Sequence, residues 1–131
     1  MKELKAGIIG NDEVIVTEAN TAAAMGSGTL PVFATPALVA LMEKTAQESG
    51  QDALEEGCGS VGTMICAKHV SATPVGMKVT CQSELVAVEG RKLVFKITAS
   101  DACGVVGEAD HERFIIQNEK FLKKANSKNE Q

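Results

Sequence analysis

The chain has 131 residues, 44% hydrophobic and 23% charged, and its 13 Lys and Arg against 17 Asp and Glu give a formal charge of −4 at neutral pH. That length predicts one globular domain over 1–131 whose core folds without staples, and it leaves no room for a second domain. The acidic balance argues against a nucleic-acid partner, which needs clustered basic residues. No apolar run reaches the ~18 to 20 residues of a membrane-spanning helix.

The opening "MKELKAGIIGNDE" lacks the apolar core and cleavage site of a secretory signal, so a cytoplasmic protein is expected. "DEVIVTE", Asp12 to Glu18, has the β-branched content of a first strand. "ANTAAAMGSGTLP" mixes alanine with glycine up to Pro31 and predicts an irregular crossing suited to a pocket mouth. Thr35 then stands as N-cap with Pro36 at the first helical position, opening a helix from about Pro36 to Ser49 that Gly50 ends. Its first half, Ala37 to Met42, is apolar on every side and must be wrapped by other elements.

Four strand-like runs follow: Met64 to Thr73, Met77 to Val88, Arg91 to Asp101 and Val105 to Gln117. The breaks between them are short, which predicts antiparallel neighbours. Met77, Val79, Cys81, Leu85 and Ala87 alternate with polar residues, as do Leu93, Phe95, Ile97 and Ala99, so each strand has one buried and one wet face. The result is an α+β domain with one apolar helix in the curl of an antiparallel sheet of five or six strands and an ordered core over about 12–122. The polar tail 123–131, in "KKANSKNEQ", is expected to be disordered. One helix of about four turns cannot cover such a sheet, and an edge remains unpaired; a homodimer would remedy both.

Cys58, Cys66, Cys81 and Cys103 are 8, 15 and 22 residues apart with no C-x-x-C pair. They are expected to be small, buried, reduced hydrophobes, and no metal site is expected. With no Trp or Tyr and four Phe, the chain has no aromatic platform for bases or sugars.

Glu43 admits two readings. It begins the solvated half of the helix, with Glu43–Gln47 and Lys44–Glu48 as four-apart pairs. Alternatively it lies one turn beyond Val39 and Ala40 on an apolar side, where partial desolvation would raise its pKa and make it a base or nucleophile. His69, on the strand face of Ile65 and Ala67, is either structural or a proton carrier; it points away from Cys66, which weakens a thiol–imidazole dyad. Thr35 is a cap unless its hydroxyl is free to serve a substrate. Gly62 either lets a substrate approach the backbone or forms a turn before the strand. In "HERF", His111 and Arg113 share a face and Glu112 points away; Arg113 reads as an ion-pair partner or an anion clamp.

"LPVFATPALVALMEK", "VGTMICAKHVSATPVGMKV", "VEGRKLVFKI" and "GEADHERFII" together resemble the fluoroacetyl-CoA thioesterase-like family of hot-dog-fold proteins over about Val14 to Phe121. Thr35, Glu43 and His69 repeat the family's catalytic set, and Gly62 and the arginine of H-E-R, Arg113, also match. The resemblance implies the hot-dog fold, a homodimer with sites at the interface, and hydrolysis of a short or medium acyl-CoA to carboxylate and CoA. Glu43 would attack the thioester or activate water, His69 would shuttle a proton, and Thr35 would orient the carboxylate or the substrate. Gly62, Arg113 and Phe33 would contact substrate, and no cofactor is implied beyond the CoA of the substrate itself. The segment "GSGTLPVF" offers only Leu30 and Phe33 where the fluoroacetyl-specific member looks aromatic-rich, so another acyl group is expected. The alternative function is a non-catalytic hot-dog module that binds an acyl thioester or small ligand. A regular helix separates Thr35 from Glu43 by about 12 Å, too far for contact.

Overall fold

The period-two alternation from Met77 onward is realised as a curled five-stranded sheet in a computed structural model describing residues 3–130. Residues 1, 2 and 131 of the expected domain lie outside the described residues. The strands are β1 (Ile9–Ile15), β2 (Cys58–His69), β3 (Lys78–Glu89), β4 (Lys92–Asp101) and β5 (Gly104–Gln117). They pair antiparallel in the order β1-β3-β4-β5-β2, which leaves β1 and β2 as the edges. Gly90, at φ +65°, makes the tight turn between β3 and β4 in a conformation that few side chains tolerate.

Among the described residues three α-helices join the sheet: α1 (Ala22–Met25), α2 (Thr35–Gln51) and α3 (Asn118–Asn126). Along α2, Leu38, Leu41, Met42, Thr45, Ala46, Ser49 and Gly50 recur at helical spacing and are buried. They meet Val79, Cys81, Leu85, Leu93, Phe95, Ile97 and Val106 from the inward face of the strands. Small residues set how closely α2 approaches β1. A Cβ on Gly10 would stand 2.6 Å from Ser49 Cβ, 2.7 Å from Ser83 Oγ and 2.8 Å from the Thr45 carbonyl oxygen. Gly10→Ala must therefore push helix and strand apart. We expect a loss of about 2 kcal/mol, read as a lower urea midpoint at unchanged slope.

Several expectations are corrected. The first strand begins at Ile9 rather than Asp12, because Ile9 to Asn11 pair with Glu84 to Gln82 despite weak strand propensity at Gly10 and Asn11. β2 begins at Cys58 rather than Met64, since Cys58 to Gly62 pair with Gln117 to Arg113 of β5. The crossing before α2 is more ordered than its glycines suggest. A 3-10 turn over Glu18–Asn20 leads into α1, where Thr21 caps the helix by accepting from the Ala24 N–H at 3.2 Å. The tail is helical through α3 and a 3-10 turn at Ser127–Glu130 rather than disordered. All four cysteines are free, but only Cys81 is buried: Cys66 is on the outward face of β2 and Cys103 in the turn after β4. Finally, one chain wraps α2 on one side only. Ala40 is exposed and Val39 half-buried, so the apolar first half of the helix is not fully covered.

Candidate functional site

Ala34, not Thr35, is the N-cap of α2, and no side chain caps the helix. The Thr35 hydroxyl is thereby released from the capping role expected of it. It lies 2.8 Å from Nδ1 of His69, the last residue of β2. His69 faces inward with Ile65 and Ala67, as strand alternation requires, while Cys66 and Lys68 face solvent. Its other nitrogen, Nε2, is buried without a protein partner. Burial holds the imidazole below its ordinary pKa of 6.5, against a smaller upward pull from the Ser71 backbone, so the ring is neutral at neutral pH. Thr35, His69 and Phe33 border a hollow of about 270 Å³, with the small residues Ala22 and Ala72 on its walls. Phe33 is 2% exposed and serves the core as well as this wall, whereas Leu30 is 63% exposed.

A second cluster gathers around Glu43, two turns further along α2. Its Oε2 is 3.5 Å from Arg113 Nη1; the carboxylate side chain is 41% exposed and the arginine 7%. Glu43 is thus neither a freely solvated boundary residue nor a fully dry one. Arg113 is held from below: Nε donates to Ser60 Oγ at 2.8 Å and Nη2 to the Ser60 carbonyl at 2.7 Å. Nη1 also lies 3.2 Å from Nε2 of His111, whose Nδ1 is 2.7 Å from the Met64 carbonyl. Burial pulls the guanidinium below its ordinary pKa, with Glu43 opposing. Each of its nitrogens has a protein partner, and Glu43 is the carboxylate among them.

Gly62 is part of this cluster. It sits inside β2, beside a register shift between Gly62 and Met64, and not in a turn before the strand. A Cβ there would lie 2.5 Å from Glu43 Oε2 and 3.3 Å from His111 Cε1, so the glycine makes room for the carboxylate.

The fold therefore joins Thr35 to His69, and Glu43 to Gly62 and Arg113, as two groups. Within one chain neither Thr35 nor His69 bonds to Glu43; the Thr35 hydroxyl bonds to the imidazole instead. Eight helical residues, about 12 Å of rise, hold the groups apart. Two members were not expected at the site. His111 was foreshadowed by its shared face with Arg113; nothing in the sequence pointed to Ser60. A larger hollow of about 340 Å³, on the outward face of β2, β4 and β5 between Cys66, Lys96 and Asp110, includes none of these groups.

Burial also holds His111 below 6.5, so both imidazoles bind protons more weakly folded than unfolded. Between the folded value and 6.5 the unfolded chain carries more protons, and unfolding is favoured as pH falls through that window. Stability to urea should be full above pH 6.5 and should decline toward pH 5. An equal midpoint at pH 7.5 and 5.5 would contradict the depressed values.

A family model described as fluoroacetyl-CoA-specific thioesterase matches residues 16–119. A fluoroacetyl-CoA thioesterase from Streptantibioticus cattleyicolor is 44% identical over 97 residues, 74% of this chain and 70% of that protein. The crystal structure of a Thr-to-Ser variant of a fluoroacetyl-CoA thioesterase in complex with acetyl-CoA superposes with a TM-score of 0.90 at 34% identity, covering 95% of this chain and 98% of the other. A hot-dog-like protein from Thermanaerovibrio acidaminovorans shares the fold with a TM-score of 0.85 at 23% identity, over 94% and 91% of the two chains. Matched in sequence from the end of β1 to α3 and in backbone throughout, the chain belongs to the fluoroacetyl-CoA-specific thioesterase family and has its hot-dog fold.

Proposed function

We propose that the chain is an acyl-CoA thioesterase that hydrolyses a short or medium acyl-CoA to a carboxylate and CoA. The observation that carries this reading is the Glu43 carboxylate, seated in the gap left by Gly62, steered by a buried arginine and still open to solvent on one side. A carboxylate so held either attacks the thioester carbonyl or takes a proton from the attacking water. If Glu43 attacks, its oxygen bonds to the carbonyl carbon as the carbon–sulfur bond breaks, and water then hydrolyses the mixed anhydride to the product acid and free Glu43; if Glu43 acts as base, the water oxygen forms that bond directly; in both routes the departing thiolate takes up a proton. His69, neutral and bonded to Thr35, is suited to carry that proton. Family membership supports the reaction class. Only Phe33 and Leu30 stand in the segment before Thr35, and Leu30 is exposed, which favours an acyl group other than fluoroacetyl. A cytoplasmic location suits a CoA thioester.

The separation of the two clusters points to a second copy of the chain. β2 is an edge strand with Gly62 near its middle and His69 at its end. Antiparallel pairing of two β2 edges centred near Ile65 and Cys66 lays Gly62 of one strand beside His69 of its partner. It also continues the sheet past an open edge, the arrangement that edge strands seek. Each site would then take Glu43 from one copy and the Thr35–His69 pair from the other.

A panel of acyl-CoAs assayed by release of free thiol should show turnover, and light scattering should give the mass of two chains. No hydrolysis of any member would leave the chain a binding module. A concentration-independent monomer would overturn the shared site.

A further inference from the structure

Arg113 is 5% exposed, a buried cation whose direction is set by what accepts from it. Ser60 takes Nε and Nη2, which leaves Nη1 to point between Glu43 and His111. His111 is itself 1% exposed, and its two ring contacts determine its proton. A carbonyl oxygen only accepts, so the 2.7 Å contact with Met64 requires a proton on Nδ1. An arginine only donates, so the 3.2 Å contact with Nη1 requires a bare lone pair on Nε2. Both contacts are satisfied by one state alone, the neutral Nδ1–H tautomer.

We infer that His111 is a positioning residue for Glu43: anchored on the Met64 carbonyl, it presents Nε2 as the acceptor that aims Arg113 Nη1, and Arg113 in turn holds the carboxylate against Gly62. The inference rests on the proposed role of Glu43. It adds an acid-sensitive element to the site. A second proton on His111 would set an N–H against the N–H of Arg113, turn the guanidinium aside and release the carboxylate. The groups around the ring are Glu43 from α2, Arg113 from β5, the Phe95 ring from β4 with centroids 6.1 Å apart, and the Met64 carbonyl from β2, while Glu112, on the opposite face of β5, acts on it through its charge alone. Burial and Arg113 keep the ring neutral, while the two carboxylates and the Met64 contact oppose them. Its neutrality near pH 7 is thus the working state, and acid is the off state.

The test compares His111→Leu, which removes the acceptor, with His111→Gln, which keeps a neutral acceptor that does not titrate. In His111→Leu, kcat at pH 7.5 should fall about 10- to 100-fold with KM within about twofold, as expected when a reacting group is misaimed by about an ångström. His111→Gln should recover kcat to within about fivefold of the parent. The acid limb of its kcat/KM profile should also show one proton fewer than the parent profile. Nitrogen-15 NMR of the ring in the unaltered protein should show the Nδ1–H tautomer at pH 7.5, a readout that survives even if His111→Leu does not fold. An Nε2–H tautomer, parental kcat in His111→Leu, or an unchanged acid limb in His111→Gln would each overturn the inference. Glu43→Gln serves as the separating control. If it is inactive while the His111 variants match the parent, only the role of His111 falls; if it keeps full turnover, the reading of Glu43 falls and takes this one with it.

Discussion

Replacing Glu43 with Gln should lower kcat for acyl-CoA hydrolysis by about a thousandfold while KM changes little and the protein stays folded. The amide keeps the shape of the carboxylate and its oxygen still accepts from Arg113, but it is neither a base nor a nucleophile at neutral pH. Loss of a positioned general base typically costs 10²- to 10⁴-fold, and a nucleophile at least as much. Stability should change little for a structural reason. The Glu43–Arg113 contact is long, at 3.5 Å, the carboxylate side chain is 41% exposed, and the amide oxygen of Gln keeps the contact, so the stability cost should be modest. Arg113 keeps its partners Ser60 and His111 when Glu43 is neutral. Steady-state rates by thiol release, beside a thermal melt, separate the two effects. A variant with parental kcat would remove Glu43 from the chemistry, and one with collapsed stability would assign it to the scaffold.

Gly62→Ala should be nearly as damaging to the rate, from a single added methyl group. The backbone at Gly62 is not in the positive-φ region, so alanine is compatible with the strand. The methyl carbon would stand 2.5 Å from Glu43 Oε2, and the carboxylate at the end of its flexible side chain is what must yield. We expect about a hundredfold loss in kcat, the scale of an ångström-sized displacement of a reacting group, with a melting temperature within a few degrees of the parent. The contrast with Gly10→Ala is informative. There the added methyl meets the Thr45 backbone and the Ser49 Cβ, which cannot rotate away, so stability suffers. Similar distances predict loss of rate at one glycine and loss of fold at the other, because of what each neighbour is able to do. Parental turnover in Gly62→Ala would show that the carboxylate works from another position.

Much of this was legible in the chain itself. Alternation over Met77 to Leu85 and Leu93 to Ala99 determined which strand faces meet the core, because successive side chains in a regular strand point to opposite sides, whereas the irregularity after Leu85 sets Val88 rather than Ala87 against the core. The same rule put His69 with Ile65 and Ala67, and His111 with Arg113. The apolar run Ala37 to Met42 put a helix against the sheet, while the buried stripe along it, which leaves Ala40 exposed and runs to Gly50, came from packing. Thr35, Glu43 and His69 as a catalytic set came from the resemblance to the family, not from the residues' own periodicity.

Their partners were another matter. Thr35 looked like a cap because a hydroxyl before Pro36 satisfies the usual local rule; only the arrival of β2 at the helix N-terminus offered it His69 instead. Gly62 looked like a turn because glycine is a poor strand former, yet pairing with Arg113 of β5 drew it into the ladder beside Glu43. Local sequence determines periodicity and therefore which face a side chain takes. Which distant residue stands opposite depends on strand register and on the depth of helix packing. Alternation is unchanged by a shift of two residues, so that choice belongs to the tertiary structure: the fit of Gly10 against Ser49, the irregularity between Gly62 and Met64, and Arg113 buried over Ser60.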